Sequence, residues 1–177
     1  ESLWAHGVRV ECLEDQRIMI ANAIKYCMHD FLKIVLVEDR ARYLYSQDAS
    51  KSLSNTQMSQ IFIKSCGTLY QKDPNLAQLI ADDTRVNVNY VDKTATPRQQ
   101  TAFLNATRAE DTYLIQWVVN QGCTIPEKMS DIYPNFLEFP KSINMYKVFA
   151  LLGVSFEETF PDHVKHAYIA ENMHKPI

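Results

Sequence analysis

The densest group of metal-type side chains in the chain is Asp162-His163-Val164-Lys165-His166. On a helix, a spacing of three brings His163 and His166 to one face. A zinc site needs three or four ligands, and no Cys or Glu partner stands at a recognisable distance. Two surface histidines are therefore the plainer expectation. Adjacent acids recur at Glu14-Asp15, Glu38-Asp39, Asp82-Asp83 and Glu110-Asp111. Paired carboxylates can hold magnesium for phosphoryl or nuclease chemistry. Neighbours on a helix point about 100° apart, so no pair chelates an ion by itself. Caps, solvated faces and ion pairs explain them, with Asp83 near Arg85 and Asp39 beside Arg40. A cysteine nucleophile needs a histidine beside it in space. His29 falls on a different helix face from Cys27, and His6 near Cys12 carries no signature. There is no GxSxG turn for a serine nucleophile. No catalytic residue, metal or cofactor is assigned, and a metal-dependent nuclease ranks third among the readings.

The chemistry that remains is distributed. Basic side chains alternate with rings and amides: Arg40, Arg42, Tyr43 and Tyr45; Lys64, Tyr70 and Lys72; Arg85, Asn87, Asn89, Tyr90, Lys93 and Arg98; then Arg108. Single-stranded RNA binders combine cations for phosphates with rings on which bases stack. The expected contacts are Arg40, Arg42, Arg85, Asn87, Tyr90, Lys93, Arg98 and Arg108, with the Arg85–Arg98 stretch foremost. Taken one at a time, these residues equally suit ordinary helix surfaces with apolar stems laid along them. Whether the arginines meet on one concave face separates the two: convergence favours an RNA groove, dispersion favours a protein-binding adaptor.

Composition narrows the classes. With 4 glycines in 177 residues, the chain has about a third of the usual share of roughly 7%. Phosphate-cradling loops and tight hairpins depend on glycine, and neither GxGxxG nor GxxxxGK[ST] occurs. A net charge of -3 excludes duplex-DNA binding by overall charge, while leaving room for a local basic groove. The 4 cysteines form no CxxC pair. A chain of this size builds a core without disulfides, so free thiols and a reducing compartment are expected. The one Asn-x-Thr sequon, Asn105–Thr107, lies in a helical pattern and is expected to be unglycosylated. No apolar run is long enough to span a bilayer.

The elements that position these residues are mostly helical. Val8 to Cys12 alternates as a short strand, and Arg85 to Val91 alternates again as its candidate partner. A long helix starts near Glu14 with Ile20, Ile24, Cys27, Met28, Phe31 and Val35 on one face. The β-branched run Ile34–Val37 is its expected break, with a second piece over Arg40–Tyr45. Ser54 with Gln57 forms a capping box for a helix burying Met58, Ile61, Phe62 and Cys66. Asp73-Pro74 opens another. Thr96-Pro97-Arg98-Gln99 is the strongest start signal and predicts a helix to Gln121, capped by Gly122, with a restart at Thr107–Glu110. Prolines 126, 134 and 140 forbid one long helix over the aromatic segment 124–140. A helix from about Lys141 to Leu152 should end at Gly153. Ser155–Glu158 and Pro161 mark further starts.

These readings give a mainly α single domain over residues 1–177, of about six to eight helices with a minor two-stranded β element. Residues 1–13 and 172–177 are candidate arms. The function expected is a non-catalytic assembly protein, most specifically a self-associating, single-stranded-RNA-binding nucleocapsid or coat-like protein. That is a compositional analogy with no motif behind it. Tyr133, Phe136 and Phe139 are its expected interface, and its expected setting is the cytoplasm, or host cytoplasm and virion for a viral chain. The alternative is an intracellular helical adaptor. A homo-oligomer and RNA are the expected partners, and no membrane.

Overall fold

The computed structural model describes residues 13–26, 28–45, 52–133 and 142–155. They form nine α-helices: α1 Leu13–Lys25, α2 His29–Tyr45, α3 Asn55–Ser65, α4 Thr68–Lys72, α5 Pro74–Ala81, α6 Ala102–Thr107, α7 Thr112–Asn120, α8 Met129–Ile132 and α9 Ile143–Leu151. A 3-10 turn, Pro97–Gln99, precedes α6. Among the described residues no helix is long and apolar enough to cross a membrane.

α3 is the centre of the packing, lying against α1, α4, α5 and α6. It begins where the sequence places its start. The Ser54 hydroxyl accepts from Gln57 N at 3.3 Å, and Gln57 Oε1 accepts from Ser54 N at 2.8 Å. Two donors that a helix start leaves orphaned are thereby satisfied. Met58, Ile61, Phe62 and Cys66 are buried from it. α5 begins at Asp73, whose carboxylate accepts from Leu76 N at 3.0 Å. Its Leu76 and Ile80 enter the same core. Phe103 of α6, Leu114 and Val118 of α7, and Phe149 of α9 complete it. Trp117 is half-buried: its ring lies 4.7 Å from that of Tyr70, and its indole N–H donates to Gln78 Oε1 at 2.8 Å.

Several boundaries differ from expectation. The first long helix ends at Lys25, and α2, from His29, runs unbroken through Ile34–Val37. Val35 and Leu36 are buried there, and packing outweighs a weak local preference against β-branched residues. The helix predicted from Pro97 to Gln121 is three pieces. The Thr96 hydroxyl spends itself on Gln99 Oε1 at 3.1 Å and starts only the 3-10 turn. Thr101 caps α6. Thr107 donates back to Leu104 O at 2.8 Å and caps nothing. The break after it is real but belongs to Asp111, whose Oδ1 accepts from Tyr113 N and Leu114 N. Glu110 turns the chain with φ 49. Gly122 and Gly153, at φ 86 and φ 79, end α7 and α9, in the left-handed conformation that glycine adopts without a Cβ clash.

The expected strand at Arg85–Val91 is a run of turns. Asp83 Oδ1 accepts from Arg85 N, and Asn87 Oδ1 from Asn89 N, each at 3.0 Å. Such side chains compete with a ladder for the backbone donors. Val86, Val88 and Tyr90 still pack on the core, so the alternation marks burial without a sheet. Its expected partner, Val8–Cys12, lies outside the described residues, as do Cys27, Pro134–Pro140, the Ser155–Glu158 box beyond Ser155, and Pro161. Among the described residues the one β contact is a parallel bridge between Lys128 and Ser155.

Candidate anion-binding cleft

Arg85 stands at the centre of the expected RNA contacts, and the structure puts it in the core at 2% exposure. Its Nε and Nη2 donate to the two oxygens of Asp83 at 2.9 and 2.8 Å. Its Nη1 donates to Asp39 Oδ2 at 2.7 Å and to Leu53 O at 3.0 Å. The Tyr43 ring covers the guanidinium at 4.6 Å. Asp39 Oδ1 also accepts from Leu53 N at 2.9 Å. Burial acts to raise the Asp83 pKa, but the hydrogen bonds and charge of Arg85 outweigh it and hold that carboxylate below its usual value. A guanidinium enclosed in this way offers no phosphate contact, so Arg85 is withdrawn from the RNA-binding set. It is a strut between α2, the start of α3 and the chain after α5. Its fork geometry suits bidentate pairing.

Of the other expected contacts, Arg40 and Arg108 line separate clefts. Asn87 and Asn89 shape turns, and Asn89 ties the 85–91 segment to the turn after α7 through Gly122 O at 3.1 Å and Thr124 N at 2.6 Å. Tyr90 is half-buried against the core. Lys93 is exposed on its loop. The backbone of Arg98 is in the 3-10 turn, while its side chain lies outside the described ones. Arg42 pairs with Glu38 at 3.6 Å on the surface of α2. Arg40 lines a mostly apolar groove with Leu36, Val37, Met58, Leu79, Ile80 and Asp83, whose carboxylate its charge helps hold low. Arg108 lines a different cleft. Tyr133, expected at an interface, is 2% exposed, edge-on to Phe149 with its hydroxyl 3.4 Å from Thr107 O. Its size and its tolerance of one buried hydroxyl suit a core position, and it leaves the interface set. Phe136, Phe139, Asp162, His163 and His166 lie outside the described residues. Among the described residues no three His, Cys, Asp or Glu side chains come together as metal ligands. Glu38 and Asp39 diverge, Glu38 outward to Arg42 and Asp39 inward to Arg85.

The cleft holding Arg108 is roomier, about 430 Å³. The last turns of α1 and α3 bring Lys25 and Lys64 to it, and the end of α6 brings Arg108. Gln71, Gln99 and Asn105 add amides, and no carboxylate lines it. All three cations are exposed. Helix C-termini favour cations, which accounts for lysines at these positions. Each C-terminus carries at most roughly half a negative charge, so the three full positive charges on the lining exceed what the three helix ends offset. Two carboxylates border the lining. Asp92 accepts from the Thr94 hydroxyl at 2.6 Å and from Gln60 at 3.1 Å, and the Lys64 charge helps hold its pKa low. Asp111 caps α7 through one oxygen and accepts from the cleft amide Gln71 Nε2 at 3.3 Å through the other. Asn105 Nδ2 donates to Ile63 O at 2.7 Å and Cys66 O at 3.1 Å. That amide closes the end of α3, and the sequon nitrogen is not free to carry a glycan. At the end of α1, Tyr26 is 65% exposed beside the Lys25 ammonium, 5.1 Å from its ring centre.

Lys25, Tyr26, Lys64, Gln71, Gln99 and Asn105 are absent from the contacts expected from sequence. The signal available for the two lysines is a cation in the last turn of a helix, which is too common to single them out. Cys66 and Cys123 are both buried in the core as free thiols, near enough that Cys123 bears on the ionisation of Cys66. Compared with protein-family models, with curated proteins and with solved structures, the chain finds no match in any of the three.

Proposed function

We propose that the chain is a non-catalytic, self-associating binding protein that holds single-stranded RNA by its phosphates in the Lys25–Lys64–Arg108 cleft. One observation carries this reading: three exposed cations share a cleft that no carboxylate lines, on a chain whose net charge is -3. Charge concentrated against the overall balance suits a local polyanion contact. The exposed Tyr26 ring beside Lys25 supplies a stacking surface at the same end of α1, the pairing that sequence-tolerant single-strand binders use. Nucleocapsid and coat-like proteins belong to this class, and a virion or cytoplasmic setting would follow from it.

The adaptor reading has its own support. Arg40 and Arg108 line separate clefts and Arg85 is internal, which is the dispersion expected of a protein-binding domain. The two are separated by fluorescence anisotropy of a labelled oligouridylate with nuclease-treated protein over a range of salt. Binding that weakens with salt is expected. Lys64→Glu with Arg108→Glu should abolish it near physiological salt. Loss of two phosphate contacts should also lower the slope of log affinity against log salt by roughly 1.4, at about 0.7 per phosphate for single strands. No binding at low salt, or binding untouched by the double substitution in a folded protein, would remove the RNA cleft and leave the adaptor.

A further inference from the structure

α2 has two apolar faces. Leu32, Val35 and Leu36 are buried on the inner one, with Asp39 among them. On the opposite side Ile34, Val37, Ala41 and Leu44 follow one another at spacings of three, four and three. All four are exposed, Val37 at 51% and Leu44 at 53%. A surface helix ordinarily turns charged residues to this side. The spacing is that of the core positions of a two-stranded coiled coil, a-d-a-d. The positions flanking the stripe then hold Lys33 and Arg40 on one edge, and Glu38 and Tyr45 on the other.

We infer that α2 is a self-association element whose outer stripe packs in parallel, across a two-fold axis, against the same stripe of a second copy. Charge complementarity selects this occupant and this direction. In a parallel pair, each flanking residue of one edge meets the residue five positions later on the opposite edge of its partner helix. Lys33 then meets a second-copy Glu38, and Arg40 meets a second-copy Tyr45, an ion pair and a cation–ring contact, each made twice. Turned end for end, the pairing would set the Lys33–Arg40 edge against itself, and like charges would face each other. The intrahelical Glu38–Arg42 pair at 3.6 Å is partly exposed and is weak enough to exchange partners. One turn before Ile34 the stripe holds Asp30, so the seam closes only from Ile34 onward. Four layers make a small interface, so the dimer is weak and concentration-dependent.

This inference deepens the self-association in the proposed function and does not depend on the cleft. It is tested by sedimentation of the full, nuclease-treated chain without RNA over a range of concentrations. The wild type should dimerise, and Val37→Glu with Leu44→Glu should stay monomeric at every concentration with an unchanged circular dichroism spectrum. Lys33→Glu alone and Glu38→Lys alone should each weaken the dimer roughly tenfold, since each converts two attractions into repulsions. Both together should restore it, and these variants keep the result readable even if the glutamate pair fails to fold. A monomeric wild type, a dimer that survives Val37→Glu with Leu44→Glu, or a Lys33→Glu dimer stronger than wild type would each overturn the assignment. Failure of RNA binding with an intact dimer would count against the cleft alone.

Discussion

Truncating Arg85 to alanine removes four hydrogen bonds from the interior: two to Asp83, one to Asp39 and one to the Leu53 carbonyl. What remains is two carboxylates out of water, with backbone N–H donors from Leu53 and residue 85 among their partners. Breaking a buried pair on one side costs about 3–5 kcal/mol, because the surviving charge is uncompensated. Water entering the space left by the guanidinium offsets part of that. The Tyr43 ring, now 4.6 Å from the guanidinium, loses a contact of about 0.5–2 kcal/mol. A net loss near 4 kcal/mol is a large share of the roughly 5–15 kcal/mol that holds a domain folded. With a urea dependence of about 2 kcal/mol/M, the midpoint followed by far-ultraviolet circular dichroism at neutral pH should fall by roughly 2 M. Arg85→Lys should fall between, because an ammonium cannot bridge both acids with a planar fork. Lys93→Ala, on an exposed loop, should leave the midpoint unmoved. A shift below about 0.5 M for Arg85→Ala would mean that the guanidinium is not enclosed. Loss of RNA binding at unchanged stability would return Arg85 to the nucleic-acid contacts.

Acid should destabilise the protein in a defined window. Asp83 is held low by Arg85 against the effect of burial, and Asp92 chiefly by the Thr94 hydroxyl. A carboxylate with a depressed folded pKa contributes stability above its unfolded value, near 3.9 for aspartate, and loses it as pH falls through the folded one. Urea midpoints should therefore hold down to about pH 4 and drop below it, less steeply in Asp92→Asn; a midpoint that rises on acidification would contradict the sign. Burial raises both core thiols, Cys123 to about 12 and Cys66 well above its ordinary value. Iodoacetamide near pH 8 should leave both unmodified in the native protein and alkylate both in urea, as read by peptide mass; rapid native labelling at either would show the site to be open.

Where a signal and its partner lie within four residues, the sequence is easy to read. Ser54 with Gln57, Asp73 before Pro74, and the glycines at 122 and 153 do in space what their types imply. The same locality misleads when several hydrogen-bonding options compete at one site. Thr96 and Thr107 each spend their hydroxyl on a different partner, and Asp111 takes over the cap. The alternation at Arg85–Val91 states correctly which side chains are buried and wrongly what backbone carries them. Arg85 itself is opaque from sequence because its Asp39 partner lies 46 residues away, and a lone arginine among amides has the same composition as a phosphate contact. The cleft is hidden for the same reason. Lys25, Lys64 and Arg108 come from three helices and acquire a common meaning only once α1, α3 and α6 end at one place.

The long reach from Asp39 to Arg85 also sets a timetable. Synthesis delivers the chain from its N-terminus at about 5–20 residues per second, so the 46 residues between them take roughly 2 to 9 seconds to emerge. Through that interval the Asp39 carboxylate lacks the Arg85 guanidinium that it meets at 2.7 Å in the folded chain, and burying it without that charge is costly. α2 cannot lay down its inner face without burying that charge, so on the ribosome it remains undocked, with both of its apolar faces open. The emergence of Arg85 is thus the step that lets the inner face of α2 close over its buried charge.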